Sequence, residues 1–338
     1  MDALPDFRVL NPATLDEAIA ARAAHPDSRP LGGGTDLVVN IRRGIEAPKV
    51  LIDMNRVQEL HALRADEKSI EIGAAVRISE IATHPAIVKH YPVLAQAAAH
   101  IAGPTHRNMG TVGGNLCLDT RCIYYNQSEW WRSANNHCLK TTGTMCHVAP
   151  KSRGVCFATY SGDLAPALLT LDAEVDIAGP QGKRTIPLEH LYIGFARQDV
   201  PVTESQGDGK FYLSLRPGEI VAAVRAKNTP GLRSAYDKIR IRRSIEYPVA
   251  GVAVALRREG GKLSDLRVGF TGTNPRPVLL AGTSELCGGP LDARVIKGLD
   301  ALVRDQIMPM KTTFTPGHYR RRVAGVLARR LLTRLYEG

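Results

Sequence analysis

The chain has 338 residues, 44% of them apolar and 23% charged, an ordinary globular balance that excludes long disorder. At roughly 150 residues per domain, two or three domains are expected. Lys and Arg number 44 against 33 Asp and Glu, a formal net charge of +11. These charges are spread along the chain, and aromatics are only 5%, so base stacking and nucleic-acid binding are not expected. The denser run Arg320, Arg321, Arg322, Arg329, Arg330 and Arg334 falls on an amphipathic pattern and reads as a solvated or partner-facing helix face. The excess charge suits acidic partners or an anionic cofactor.

No run approaches the roughly 18 apolar residues of a membrane span. The start, MDALPDFRVLNP, carries acids and prolines where a signal peptide has basic and then apolar residues, so a cytoplasmic protein is expected. In that compartment the six cysteines are not expected to form stable disulfides.

In chain order, Thr14 caps a predicted helix over 15–24. The glycine turn at 32–36 follows, then strands over 49–53 and 69–73, and helices over 78–83 and 92–102. Gly103-Pro104 should stop the last of these. A second glycine turn lies at Gly113-Gly114, and from about 119 to 156 neither helical nor strand periodicity is present. A loop of this length is usually functional or disordered, and its two tryptophans and four cysteines argue against disorder. A short helix is expected over 163–171 and a hairpin over 173–188. Strands are expected over 220–224, 249–256 and 266–271, and helices over 291–307 and 319–336. Composition places a domain boundary near 216–218.

Three motifs carry chemistry. Successive glycines at 32–34 let backbone N–H groups converge on an anion and let a pyrophosphate approach. The second turn, Arg107-Asn108-Met109-Gly110-Thr111-Val112-Gly113-Gly114-Asn115-Leu116, pairs glycines with hydrogen-bonding side chains, and two such turns can clamp one dinucleotide. The third is Cys122-x15-Cys138-x7-Cys146-x9-Cys156. Thiolates hold iron–sulfur clusters or zinc, and this spacing matches neither the zinc ribbon nor the ferredoxin run, so cluster, zinc and unligated thiols all stay open on spacing alone. His137 and His147 adjoin these cysteines. Cys117 and Cys287 sit in apolar or turn contexts and read as structural thiols. Asp163 reads by default as a helix cap and Lys238 as a surface lysine.

GGGTDL at 32–37, RNMGTVGGNL at 107–116, SGDLAPALLTLDAEV at 161–175 and LRPGEIV at 215–221 occur in this order in the FAD-binding subunits of the xanthine dehydrogenase family, the flavin modules of molybdenum hydroxylases. The chain resembles that family over nearly its whole length. The resemblance implies an α+β protein: a two-lobed FAD-binding fold of the vanillyl-alcohol-oxidase type over 1–55 and 56–217, and a C-terminal α+β domain of the CO dehydrogenase flavoprotein type over 218–338. It implies that FAD is held by Pro30, Leu31, Gly32, Gly33, Gly34, Thr35, Asp36 and Leu37 at the first turn. Ile101, Thr111, Gly113, Gly114 and Asn115 would hold it at the second, with Asp163, Val221 and Lys238 approaching from further along the chain. Arg240, Arg242 and Arg243 add positive charge nearby.

Most members lack the segment 120–156. Its start, Thr120-Arg121-Cys122-Ile123-Tyr124-Tyr125-Asn126-Gln127, resembles the flavin subunit of 4-hydroxybenzoyl-CoA reductase, in which an extra loop carries a [4Fe-4S] cluster. The resemblance assigns that cluster to Cys122, Cys138, Cys146 and Cys156. It implies an oxidoreductase subunit without catalytic residues of its own. Its partners would be a large molybdopterin subunit and a small subunit with two [2Fe-2S] clusters, in a dimer of heterotrimers that exchanges electrons with ferredoxin or a similar carrier. The overall reaction would be reductive dehydroxylation of an aromatic acyl-CoA, with an aldehyde or N-heterocycle hydroxylase as the other reading within the family. A non-catalytic zinc-binding interaction module is the reading from a different class.

Overall fold

The first lobe rests on a small parallel sheet. A computed structural model describes residues 4–152, 154–194, 207–242 and 245–338. In it β1 (Arg8–Leu10) and β2 (Arg29–Leu31) flank β3 (Val50–Asp53), with α1 (Leu15–Ala24) and α2 (Leu37–Arg42) in the connections. Thr14 caps α1 as its sequence requires, its hydroxyl accepting from the Glu17 N–H at 3.2 Å. The glycine turn joins β2 to α2.

The second lobe is a five-stranded antiparallel sheet in the order β4 (Leu63–Ala65), β5 (Ser69–Gly73), β8 (Ile220–Lys227), β6 (Glu174–Gly179), β7 (Gly182–Pro187). Between β5 and β6 the chain runs through α3 (Ile78–Thr83), α4 (Pro85–His90), α5 (Pro92–His100), α6 (Pro104–Arg107), α7 (Val112–Leu116), α8 (Glu129–Ala134) and α9 (Leu164–Leu169). Prolines open α4, α5 and α6, where a missing N–H costs nothing. Strand β8 corrects the boundary expected at 217/218: it pairs with β5 and β6, so the middle sheet closes only at Lys227.

The C-terminal region packs the antiparallel sheet β9 (Arg233–Ile239), β10 (Ala250–Glu259), β11 (Lys262–Thr271), β12 (Val278–Leu279) against α10 (Ala293–Gln306) and α11 (Gly317–Glu337). Helix α10 buries Val295, Leu299 and Val303, one stripe at four-residue spacing. Strand β9 contains 235–238, a stretch whose sequence already reads as strand-like.

One residue departs from the expected basic face of α11. Arg320 is fully buried. Its guanidinium donates to the carbonyls of Val249 at 3.2 Å and Met310 at 3.1 Å, to the Thr312 hydroxyl at 3.0 Å, and to the Gly272 carbonyl. Burial lowers its pKa to about 10, which leaves it charged at neutral pH. It ties the connector between α10 and α11 to the sheet.

The main core runs from Leu15 and Ile52 of the first lobe through the second lobe to Tyr236 and Ala253 of the C-terminal sheet. The C-terminal region also has its own core between sheet and helices. No helix of the described residues is long and apolar enough to cross a membrane.

Candidate functional site: two glycine turns beside a cysteine loop

The two glycine turns touch. A Cβ on Gly33 would lie 1.9 Å from the Met109 carbonyl oxygen, and one on Gly32 would lie 2.6 Å from the Thr111 hydroxyl. Glycine at these positions is therefore set by backbone approach between the lobes. Gly34 has φ +70°, a left-handed conformation that favours glycine. The first turn is pinned from below by Asn55, whose Nδ2 donates to the Gly32 carbonyl at 2.9 Å. The second turn is pinned to its own lobe through Ile78 N–H to Gly110 O at 3.0 Å and Gly113 N–H to Ala74 O at 2.8 Å.

Among the described residues, the N–H groups of Gly33, Gly34 and Thr35 donate to no protein acceptor. Unpaired N–H groups converging on a turn form an anion nest, which fits the pyrophosphate of a dinucleotide. Thr111 caps α7, its hydroxyl accepting from the Gly114 N–H at 3.2 Å. Asn115 is buried, and its Oδ1 accepts from the Leu164 N–H at 3.0 Å, so the second turn also positions α9.

Asp163 precedes α9 but makes no side-chain cap. Its carboxylate accepts from the Tyr236 hydroxyl at 2.5 Å and from Lys238 Nζ at 3.0 Å. Lys238 is 5% exposed, so the surface-lysine reading is corrected: β9 turns it inward to a buried ion pair across the domain boundary. Ile101 ends α5 beside Ala102, whose φ of 41° is strained for a residue with a Cβ. Val221 is buried in β8, in the middle sheet and not in the C-terminal region. The Ile101 carbonyl accepts from Arg107 Nη1, at the start of the second turn, at 2.8 Å. Arg243 lies outside the described residues.

The loop from 120 to 156 is ordered without sheet, as its lack of periodicity implies. Its one helix, α8, is capped by Ser128. All four cysteines singled out are buried. Cys122 packs with Tyr125 and Cys138, Cys146 packs with Val155 and Phe157, and Val148 touches both groups. Backbone N–H groups converge on the sulfurs: Tyr125 N–H reaches Cys122 Sγ at 3.3 Å. The Cys146 thiol is held below the ordinary thiol range, first by a hydrogen bond with Cys156 and also by the N–H groups of Phe157, Ala149 and Val148. Burial acts in the opposite sense and, with the N–H groups of Tyr125 and Tyr124 opposing it, pushes Cys122 up to about 11. Among the described residues, no three His, Cys, Asp or Glu side chains gather as tightly as a single metal ion requires. His147 turns away, its ring nitrogen meeting the His137 carbonyl at 2.6 Å and its ring lying against Tyr124 and Trp131. Cys117 packs against the main core, and burial raises its pKa to about 12, which suits a structural thiol. Cys287 is also raised by burial.

Sequence reasoning missed the ionic chain that joins the turn to the loop. Arg121 Nη2 meets Asp36 Oδ2 at 2.9 Å and Asp119 at 3.9 Å. Asp119 in turn accepts from Lys140 Nζ at 2.7 Å. Lys140 also donates to the Gly209 carbonyl at 2.9 Å and sits over the rings of Tyr125 and Tyr212. Burial raises Asp119, but Lys140 and Arg121 outweigh it and hold the carboxyl below its usual range. Tyr247, from the turn between β9 and β10, donates to Asp36 at 3.1 Å. Nothing in the spacing of these residues marked them.

Two touching glycine turns with unpaired backbone N–H groups, and a buried Asp163–Lys238 pair between the second lobe and the C-terminal sheet, fit a dinucleotide-binding protein. Residues 5–226 match the family described as FAD binding domain in molybdopterin dehydrogenase, and residues 234–335 match the CO dehydrogenase flavoprotein C-terminal domain. The chain belongs to this family of FAD-binding subunits of molybdenum hydroxylases.

The aldehyde oxidoreductase FAD-binding subunit PaoB of Escherichia coli strain K12 is 31% identical over 77% of this chain and 79% of its own length. The carbon monoxide dehydrogenase medium chain of Hydrogenophaga pseudoflava is 24% identical over 97% of this chain and 96% of its own. A solved structure of carbon monoxide dehydrogenase from that organism superposes with a TM-score of 0.77 at 22% identity, covering 99% of both chains. The fold is thus the expected one, an FAD-binding domain followed by a flavoprotein C-terminal domain. The protein is an oxidoreductase subunit that binds FAD.

Proposed function

We propose that this chain is the flavin and [4Fe-4S] electron-transfer subunit of a three-subunit molybdenum oxidoreductase. In this reading the N–H groups of Gly33, Gly34 and Thr35 hold the FAD pyrophosphate, with Pro30, Leu31, Gly32, Asp36 and Leu37 shaping that turn. Thr111, Gly113, Gly114 and Asn115 wrap the opposite side, and Ile101 and Val221 supply apolar walls. Asp163 is oriented by Tyr236 and Lys238, which would fix its side chain toward the cofactor. Bound FAD supplies a carrier that exchanges electrons singly or in pairs.

The observation that carries the cluster is the loop itself: four buried cysteines on one aperiodic segment, with backbone N–H groups converging on their sulfurs. Hydrogen bonds to sulfur stabilise thiolates and tune cluster potentials. A cubane spans more than a single ion, so its thiolates need not gather as tightly as zinc requires. Cys122, Cys138, Cys146 and Cys156 would ligate the cluster, and the loop would be the point where a one-electron carrier such as ferredoxin exchanges electrons. The large molybdopterin subunit and the small 2×[2Fe-2S] subunit complete the complex, assembled as a dimer of heterotrimers.

The insertion favours reductive dehydroxylation of an aromatic acyl-CoA of the 4-hydroxybenzoyl-CoA type as the overall reaction. The similarity to an aldehyde oxidoreductase subunit favours aldehyde oxidation as the second reading. Purified complex assayed both ways separates them. Turnover of the acyl-CoA with reduced ferredoxin supports the first; turnover of aldehydes alone, with dye as acceptor, overturns it. Colourless protein containing zinc overturns the cluster as well.

A further inference from the structure

Arg121 stands between the flavin turn and the cysteine loop. It immediately precedes Cys122, and its residue is 7% exposed. One face of its guanidinium is committed: Nη2 pairs with Asp36 at 2.9 Å, and the ring of Tyr125 lies 5.3 Å from the guanidinium carbon. Its backbone is fixed by a reciprocal bridge to Thr159, at 2.9 and 2.7 Å. The other nitrogen, Nη1, is buried and has no hydrogen-bond partner among the described residues. A buried charged donor left unpaired is costly, and native structures rarely keep one without a use.

Asp36 is engaged with three donors, none of them Nη1. Its Oδ2 already accepts from Asn40 at 2.8 Å as well as from Arg121, and its Oδ1 accepts from Tyr247. On the other side the chain continues from Arg121 to Asp119 and Lys140, whose ammonium sits between Cys138 and Cys146 in sequence and ties the loop to Gly209.

We propose that Arg121 Nη1 is a donor for the anionic cofactor at the glycine turn, and that Arg121 is thereby the positioning residue that couples flavin binding to the order of residues 122–156. The inference rests on FAD occupying the first turn; it does not require the loop to hold iron. Two sites joined through one residue share a coupling free energy, and the effect is reciprocal: whatever orders the loop tightens flavin binding by the same factor.

The test uses the purified complex with FAD bound and after FAD removal. Amide hydrogen exchange is read over residues 122–156, and FAD affinity is read by recovery of flavin fluorescence quenching. In the wild type, FAD should slow exchange across the loop. Arg121→Met should weaken FAD by about 10- to 100-fold, the usual weight of a hydrogen bond to a charged group. At saturating FAD its loop exchange should stay at the FAD-free rate. Arg121→Lys, which keeps the charge without the fork, should recover part of the affinity and less of the protection. If Arg121→Met binds FAD as the wild type does, or if FAD still protects the loop in that variant, the proposal is wrong. A misfolded Arg121→Met would leave Arg121→Lys to decide, since equal affinity and equal protection in that variant also overturn it. Iron analysis of the wild type is a separate readout: protein without iron whose loop FAD still protects leaves Arg121 in its role, and protein with iron whose loop FAD does not protect removes it.

Discussion

The two glycine turns and the cysteine loop lie side by side but are ordered by different forces. The turns are built from backbone. Gly32 and Gly33 sit where a Cβ would meet atoms of the facing turn; the Asn55 side chain pins the first turn to its lobe and main-chain bonds pin the second. The loop has two small apolar clusters and one six-residue helix. What holds it is side-chain charge: the chain Asp36–Arg121–Asp119–Lys140, and Arg132, which is 2% exposed and reaches the Gly44 carbonyl at 2.6 Å. A cradle made of backbone keeps its shape by itself, whereas a loop held by side-chain charge would, with a bound cluster, draw much of its stability from what it binds.

That contrast can be broken from either side. The largest effect is expected in the loop. Cys122→Ser, or the same change at Cys138, Cys146 or Cys156, should remove the cluster and open residues 120–156 to proteolysis, while FAD is retained with lowered affinity; iron content and limited digestion check this. Next comes the buried pair between the second lobe and the C-terminal sheet. Lys238→Met leaves the buried Asp163 side chain with Tyr236 alone, and should destabilise the protein by about 3–5 kcal/mol, read by denaturant unfolding of the complex. Gly33→Ala tests the preformed cradle. Its Cβ meets a backbone carbonyl that cannot swing aside, so it should cost about 1–3 kcal/mol and strip FAD while iron stays. The smallest effect is the control: Cys117→Ser should cost about 1 kcal/mol of packing and leave iron and flavin content unchanged. Loss of iron in that variant would move the ligand set by one cysteine.

Much of the fold was legible because local signals agreed. Thr14 before an amphipathic run, the prolines and glycines that stop helices, and the alternation in 69–73 each rest on neighbours in sequence. On β9 the strand was legible but the burial of Lys238 was not, because Tyr236 and Lys238 turn inward to Asp163, 73 and 75 positions away. The boundary at 217/218 failed for a related reason. A Pro-Gly turn looks like a domain end, yet the strand after it returns to complete a sheet begun at residue 63. Arg320 read as surface because a charge on an amphipathic helix usually is; its four partners come from three separate segments. At the site, the glycines and cysteines stood out by residue type. Asp119, Arg121 and Lys140 did not, since a charged residue in a loop is ordinarily solvated and only the fold reveals that Arg121 is buried and the other two half-buried.

The central claim is that this flavin subunit carries its own iron–sulfur cluster in the loop. Iron and acid-labile sulfide measured on the purified complex, wild type against Cys122→Ser, test it most directly. The account predicts a loss of about four irons and four sulfides per protomer, with the clusters of the partner subunit unchanged. Equal iron in the two proteins, or zinc in place of iron in the wild type, would contradict it.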